Sequence, residues 1–332
     1  MEHRGFVFRE ENLLSPAEAV ATYLGRVSVA PRAAERVRLE LACGRILAEP
    51  ILADMDYPSA PRSAMDGFAV AAGRAPGAFT VVGEVLMGRP WGGRLAPGDA
   101  VRIPTGGVVP EGADAVAPVE ETRFGGGAVM VECALTAGEN VNPRAGDMAA
   151  GSLALRAGTR IGGPQLGVLA TLGVTSVRVY PRPRVAVISS GDELVPAAMS
   201  PAPGQVRDSN RYAIAGALQG MGADPLHGPT VADVPGALER ALRRALAESD
   251  AAIVTGGSSV GELDRTPAAI ASLGAPGVIV HGLRVKPGKP TVLAAIGSKP
   301  VIGLPGNPTS SVVILEAVCG PIIAALTGGP LT

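Results

Sequence analysis

One pattern governs the second half of the chain and limits what it can fold into. Pro181-Arg182-Pro183 forms a stiff segment, because prolines exclude helix and donate no ladder hydrogen bond. Beyond it, buried strand-like runs alternate with helices. RVAVIS at 184–189, AAIV at 251–254 and PVIGL at 300–304 read as buried strands, and 277–285 as an extended run. Helices are predicted over 210–219, 235–248 and 267–273, and again after Pro308. In 235–248, Leu238, Leu242 and Leu246 share one face. Alternating units of this size predict an α/β fold, a doubly wound and mostly parallel sheet. Such sheets bind ligands beyond the carboxyl ends of their strands.

The first half has a different texture. Ser15-Pro16-Ala17-Glu18 predicts a helix start, with Ser15 as cap, Pro16 at the first helical position and Glu18 completing a capping box. From about residue 56, short β-like runs at 79–82, 100–103, 115–119 and 128–131 alternate with Gly/Pro turns. The expected organisation is a linker region over 1–55 and 150–180, a β-rich insertion over 56–149, and the α/β domain over 181–329.

Composition removes several alternatives. Gly 45 and Pro 30 are roughly twice average usage, which alone could mean disorder. The 47% hydrophobic and 18% charged content is the opposite of a disordered signature. A net charge of −1 offers no global field for nucleic acid or an anionic membrane, and 3% aromatics cannot build stacking platforms for single strands. Cys43, Cys133 and Cys319 are scattered and suggest neither a disulfide framework nor a zinc site. The N-terminus lacks a signal-peptide apolar core. The apolar run 311–327 contains Glu316 and a Gly320-Pro321 break, so a buried helix is expected rather than an anchor. A cytoplasmic protein without nucleic-acid or membrane partners is the expectation.

The loops after the strands carry the chemistry. They are Ser190-Gly191-Asp192-Glu193-Leu194, the stretch from Thr255-Gly256-Gly257-Ser258-Ser259 to Asp264, Lys286-Pro287-Gly288-Lys289-Pro290, and Pro305-Gly306-Asn307-Pro308. Gly/Ser loops that lead into helix N-termini favour phosphates. Lys286 and Lys289 add point charges for an oxyanion. Glu193 and Asp264 suit a hard cation such as Mg2+. Glu193 and Asp264 also read as helix caps, Asp233 as a solvated loop residue and Asp66-Gly67 as a turn. No GxxxxGK[ST] and no GxGxxG after a strand is present, which argues against a Walker-type NTPase and a dinucleotide dehydrogenase.

SSGDEL, TGGSSVG with its Asp264, VKPGKP and GLPGNP, in that order, resemble the molybdopterin-binding domain of MoeA-type molybdopterin molybdenumtransferases. Upstream, RSAMDGFAV at 62–70, IPTGGVVPEG at 103–112 and RAGD at 144–147 are similar to further motifs of that family. Ser258 and Arg265 stand where the family usually has valine and tyrosine. The resemblance implies molybdenum cofactor biosynthesis: insertion of molybdate into adenylylated molybdopterin with release of AMP, assisted by Mg2+. It implies catalytic roles for Asp66, Thr105, Glu193, Asp233 and Asp264, with Glu193, Asp233 and Asp264 toward metal. Anion and cofactor binding would fall to Gly256, Gly257, Ser258, Ser259, Lys286, Lys289, Pro305, Gly306 and Asn307, with Arg284 as an extra cation. It further implies a homodimer in which Asp66 and Asp147 act at a cross-subunit lip. A molybdopterin adenylyltransferase and molybdoenzyme apoproteins are implied as partners. Family members usually carry another small β domain after the binding domain, and that domain is expected to be absent here. Two alternatives remain: a non-catalytic molybdopterin-binding carrier or scaffold and, ranked behind it, the adenylyltransferase itself.

Overall fold

The computed structural model describes residues 13–256 and 266–330. They fall into two compact units, one of residues 50–155 and one of 1–49 with 156–332.

The unit of 50–155 is built on a six-stranded sheet. Its order is Ala115–Pro118, Gly67–Val70, Asp99–Ile103, Gly77–Glu84, Ala128–Val131 and Thr122–Gly125. Only Gly77–Glu84 and Asp99–Ile103 pair in parallel. Alternation along the strands fills both faces, as period-two side chains must. Phe68 and Val70 join one core with Phe79 and Val129, while Ala69 joins the other with Val101, Ile103 and Val116. Two short ladders, Arg62–Ser63 with Val141–Asn142 and Ile51–Leu52 with Leu153–Leu155, complete the unit.

The other unit carries the α/β sheet. Strand order is Asp224–Val231, Arg184–Ser190, Ala251–Thr255, Lys299–Leu304, Val292–Ile296 and Pro276–His281. The first four run parallel and the last two join antiparallel. The sheet is thus mostly parallel, as expected from the alternating pattern. Val292–Ile296 is a strand that the pattern did not signal. Odd and even residues of one strand again feed opposite cores. Val185 and Val187 face the helices Asn210–Gly220 and Pro308–Ile314, and Ala186 and Ile188 face Ala237–Glu248 and Thr266–Ala271. Leu238, Leu242 and Leu246 are all buried, and each such burial contributes about 1.5–3 kcal/mol.

The helix Pro16–Arg26 starts with the predicted capping box. The Ser15 N–H donates to Glu18 Oε2 at 2.8 Å, and the Glu18 N–H to Ser15 Oγ at 3.4 Å. Its Ala19 and Tyr23 are fully buried in the sheet's core, and the Tyr23 hydroxyl donates to the Ala294 carbonyl at 3.0 Å. A small antiparallel sheet of Glu35–Arg38, Ser176–Tyr180 and Ile46–Leu47 stands in the same unit.

The stretch Pro308–Thr327 is long and apolar enough to cross a bilayer. Here Ile314, Leu315, Val318, Cys319, Ile322 and Ile323 are buried in the core instead. The sequence predicts a break at Gly320-Pro321. The structure absorbs it differently, widening Leu315–Cys319 into one π turn before Gly320–Thr327 continues. A π turn removes the demand for the i−4 bond that Pro321 cannot donate.

Candidate functional site

In the β-rich unit, Asp66 is exposed but its carboxylate is firmly engaged. Its Oδ1 accepts from the Thr105 backbone N–H at 2.6 Å and the Thr105 hydroxyl at 2.8 Å. These bonds hold its pKa below the ordinary carboxylate range, the backbone bond most strongly, then the hydroxyl, with a smaller pull from Arg102. The two loops are laced together. The Ser63 N–H donates to the Gly107 carbonyl at 2.9 Å and the Gly106 N–H to the Ser63 carbonyl at 2.7 Å. Arg62 also reaches the Gly106 carbonyl at 2.8 Å. Two residues singled out by sequence, 39 positions apart, therefore meet.

Asp147 is exposed, and its N–H donates to the Tyr57 carbonyl at 2.9 Å. Its loop is pinned by Asp56, a residue that sequence reasoning missed. Asp56 accepts from the Ala150 N–H at 2.8 Å and from Arg144 at 2.6 Å, and both lower its pKa, the backbone bond first. Asp56 lies 88 residues before Arg144, so local pattern around the RAGD loop carries no signal for it.

In the α/β unit the parallel strands end at a cavity of about 250 Å³. Ser190 and Thr255 close two strands there, and Gly306 follows a third. Gly256 has φ +86°, and a Cβ on it would strike the Ser190 carbonyl, so only glycine lets these strand ends approach. Glu193, Asp208 and Asn210 also line this cavity. A second cavity of about 350 Å³ shares Ser190 and is lined by Asp233, Glu239 and Thr266. The Ser190 hydroxyl donates to Asp233 Oδ1 at 3.2 Å, and the Asp233 N–H donates to Asp192 Oδ1 at 2.9 Å. The GDEL loop thus holds Asp233 through Asp192 and presents Glu193 to the neighbouring cavity.

Lys286 and Lys289 line a further cavity of about 580 Å³, beside Leu13 and Arg284. Their turn is set by the Leu283 N–H donating to the Lys289 carbonyl at 2.8 Å and the Thr291 hydroxyl to the Gly288 carbonyl at 2.7 Å. Arg284, expected as a further cation, is paired with Glu18 at 3.4 Å. Asn307 caps the helix Pro308–Ile314, its side chain accepting from the Ser310 N–H at 3.3 Å. The Ser311 hydroxyl ties back to the Pro305 carbonyl. Pro305, Gly306 and Asn307 therefore shape a helix start at the rim.

Gly257, Ser258, Ser259 and Asp264 lie outside the described residues. Among the described residues no group of three or more His, Cys, Asp and Glu side chains converges. Mg2+ commonly takes one or two carboxylates and completes its shell with water and ligand phosphates. Asp233, with one oxygen fixed by Ser190 at a cavity wall, fits that smaller demand. Asp208 and Asn210, at the start of the helix Asn210–Gly220, were missed by sequence reasoning. An Asp and an Asn two residues apart at a predicted helix start were the available signal.

Comparison with known proteins agrees with this layout. Residues 14–173 match the family model "MoeA N-terminal region (domain I and II)", and residues 186–325 match "Probable molybdopterin binding domain". A molybdopterin molybdenumtransferase of Nostoc is 38% identical over 304 residues, covering 89% of this chain and 70% of that protein. One from Haemophilus influenzae is 33% identical, covering 90% and 74%. Among solved structures, a molybdopterin biosynthesis MoeA protein of Pyrococcus horikoshii superimposes with a TM-score of 0.81 at 25% identity, covering 96% of this chain and 80% of that one. The layout of the strand-end loops and these matches across both halves converge, and the chain belongs to the MoeA family of molybdopterin molybdenumtransferases.

Proposed function

We propose that this protein inserts molybdate into adenylylated molybdopterin and releases AMP. The observation that carries the reading is the pair of cavities sharing Ser190 at the carboxyl ends of the parallel strands, about 250 and 350 Å³, with Glu193, Asp208 and Asn210 in the lining of one and Asp233 and Glu239 in that of the other. That is where such sheets bind ligands, and two adjoining chambers suit a substrate of two parts. Ser190 lines both and hydrogen-bonds Asp233 in the second, and the two would orient the phosphate bridge. Asp233, Glu193 and Asp264 would hold Mg2+ or water, and Lys286 and Lys289 would hold an oxyanion. Bound Mg2+ would screen the phosphate charge during cleavage. In this reading the Asp66–Thr105 loop serves the partner protomer of a homodimer.

The test is a single-turnover assay of the purified chain with adenylylated molybdopterin. AMP release that requires both molybdate and Mg2+ is expected. Tight binding without AMP release would overturn the enzymatic reading in favour of a carrier. ATP-dependent adenylylation of molybdopterin would assign the preceding step instead. Sedimentation at micromolar concentration checks the dimer, and a monomer there would remove the proposed role of the Asp66 loop.

A further inference from the structure

The cavity at Ser190 contains two buried hydrogen-bond acceptors with nothing to accept from among the described residues. Asn210 is 7% exposed and Asp208 4% exposed, and both line the cavity. The Asn210 Nδ2 donates to the Gly306 carbonyl at 2.8 Å. A carbonyl only accepts, so this bond fixes which amide atom is which. Asn210 Oδ1 is left buried and accepts no hydrogen bond. Asp208 Oδ1 accepts from the Arg211 N–H at 3.2 Å, whereas Asp208 Oδ2 is buried and also accepts none. The Arg211 Nε stands 3.2 Å from Oδ2, but it too is without a hydrogen bond, so the pair touches as charges with poor hydrogen-bond alignment.

A buried acceptor left unmatched costs about 1–3 kcal/mol, so two of them lining one cavity call for a donor-bearing occupant. The charge of Asp208 is already balanced by Arg211, so the unmet need is for donors and not for a cation. We infer that Asp208 and Asn210 form an acceptor wall that reads the donor edge of a nitrogen heterocycle, one presenting two adjacent N–H groups. This inference rests on the reading of the protein as a molybdopterin enzyme and assigns which part of the substrate enters this cavity. A pterin presents a ring N–H beside an amino group, donor next to donor. Adenine presents an amino group beside a bare ring nitrogen, donor next to acceptor, and one of its two contacts would set acceptor against acceptor. The wall therefore selects the pterin end, and the adenine end goes elsewhere. Asp208 and Asn210 are specificity-determining residues, and neither needs to touch the reacting atoms.

The probes are free pterin, lumazine and AMP, each titrated against the full chain by calorimetry or ligand-observed NMR at millimolar concentration. Lumazine keeps the pterin outline but replaces the amino donor by a carbonyl. Wild type is expected to bind pterin at least about tenfold more tightly than lumazine, because a donor is exchanged for a repelled acceptor. Asp208→Asn, which converts one acceptor into a donor, should bring that ratio close to one and leave AMP affinity unchanged. Asn210→Leu removes the second acceptor and should lower pterin affinity about tenfold, again without moving AMP. Equal binding of pterin and lumazine by wild type needs no variant to fold and would overturn the inference. So would absence of pterin binding, or loss of AMP rather than pterin binding in Asp208→Asn. Pterin discrimination without AMP release from the adenylylated substrate would sink the transferase reading and leave the wall intact, while AMP release without discrimination would do the reverse.

Discussion

The two edges of the α/β sheet are finished to different standards. At the amino edge, polar groups are matched. Lys299 Nζ donates to the carbonyls of Leu246 at 2.5 Å and Ser249 at 2.9 Å, closing the C-terminus of Ala237–Glu248. Asp250 Oδ2 accepts from the Arg184 N–H at 2.7 Å and lies 3.4 Å from Arg32. At the carboxyl edge, Ser189 Oγ, Asp208 Oδ2 and Asn210 Oδ1 are buried without hydrogen bonds among the described residues, and two cavities open around Ser190. One edge spends its polar groups on stability. The other leaves them open to an occupant of the cavities. Changes at the carboxyl edge should therefore alter binding and turnover more than stability, and changes at the amino edge the opposite.

The largest effect is expected at Asp233. Asp233→Asn keeps the shape and the bond from Ser190 but removes the charge. AMP release should fall by on the order of 10²-fold or more, as when a preorganised electrostatic group is lost, with little change in melting temperature. Activity within a few-fold of wild type would take Asp233 out of the machinery. Gly256→Ala comes next and is the one rim change that should also cost stability. Its φ of +86° strains any L side chain, and the new Cβ meets the Ser190 carbonyl, which is backbone and cannot swing away. A loss of about 3 kcal/mol is expected. That lowers the melting temperature by roughly 6–12 °C and abolishes ligand binding. Gly306→Ala is the control. Its Cβ would lie 3.5 Å from the Gly256 Cα, an ordinary contact, so the cost stays under about 1 kcal/mol.

Lys299→Met tests the amino edge. It keeps the aliphatic stem and removes a charged donor from the end of the helix Ala237–Glu248. A cost of about 1–2 kcal/mol is expected, seen as a melting temperature lower by roughly 2–8 °C. Molybdate-dependent AMP release from the folded variant should match wild type. A loss of activity without a loss of stability would dissolve the distinction between the edges.

Much of this contrast is legible in the sequence, and the illegible part has a physical reason. Strands such as Arg184–Ser190 are buried on both faces and read as continuous apolar runs, so the sheet and its strand-end loops follow from pattern. The GDEL, TGG, KPGKP and PGNP loops were found because Gly, Pro and charge cluster there. Val292–Ile296 escaped because VLAAI, ending at a Gly turn, has no period of its own and is recruited by its neighbours. That Tyr23 belongs to the sheet's core was invisible for the same reason, since its partner Ala294 is 271 residues away. Asp208 and Asn210 stand at a helix start, where Asp and Asn are ordinary. Their significance lies in bonds they fail to make, and local sequence does not record an absent partner. The distribution of Lys286 and Lys289, Glu193 and Asp233 over three cavities was also beyond reach, because loop motifs give order along the chain and not the walls between them.

The smallest effect concerns Asp66, whose carboxylate is already satisfied by protein, unlike the acceptors at the α/β rim. Its folded-state pKa is depressed by the Thr105 N–H first and the Thr105 hydroxyl second. A carboxylate of this kind stabilises the loop closure above its ordinary unfolded pKa. The contribution is lost as pH falls through the lower folded value. Through neutral pH the pairing is therefore constant, and only acid below the usual carboxylate range should open it. Thr105→Val removes the hydroxyl and keeps the backbone donor, so it should move the Asp66 midpoint part of the way back up. Carbon-detected NMR titration of the Asp66 carboxyl reads this directly. The wild-type midpoint should lie below that of a free aspartate, with the valine variant between the two. A variant midpoint equal to wild type would mean the backbone N–H alone sets the carboxylate, and the sequence pairing of Asp66 with Thr105 would then reflect the loop's shape and not the threonine side chain. A full return to the ordinary value would mean the hydroxyl carries the bond and the backbone contact is secondary.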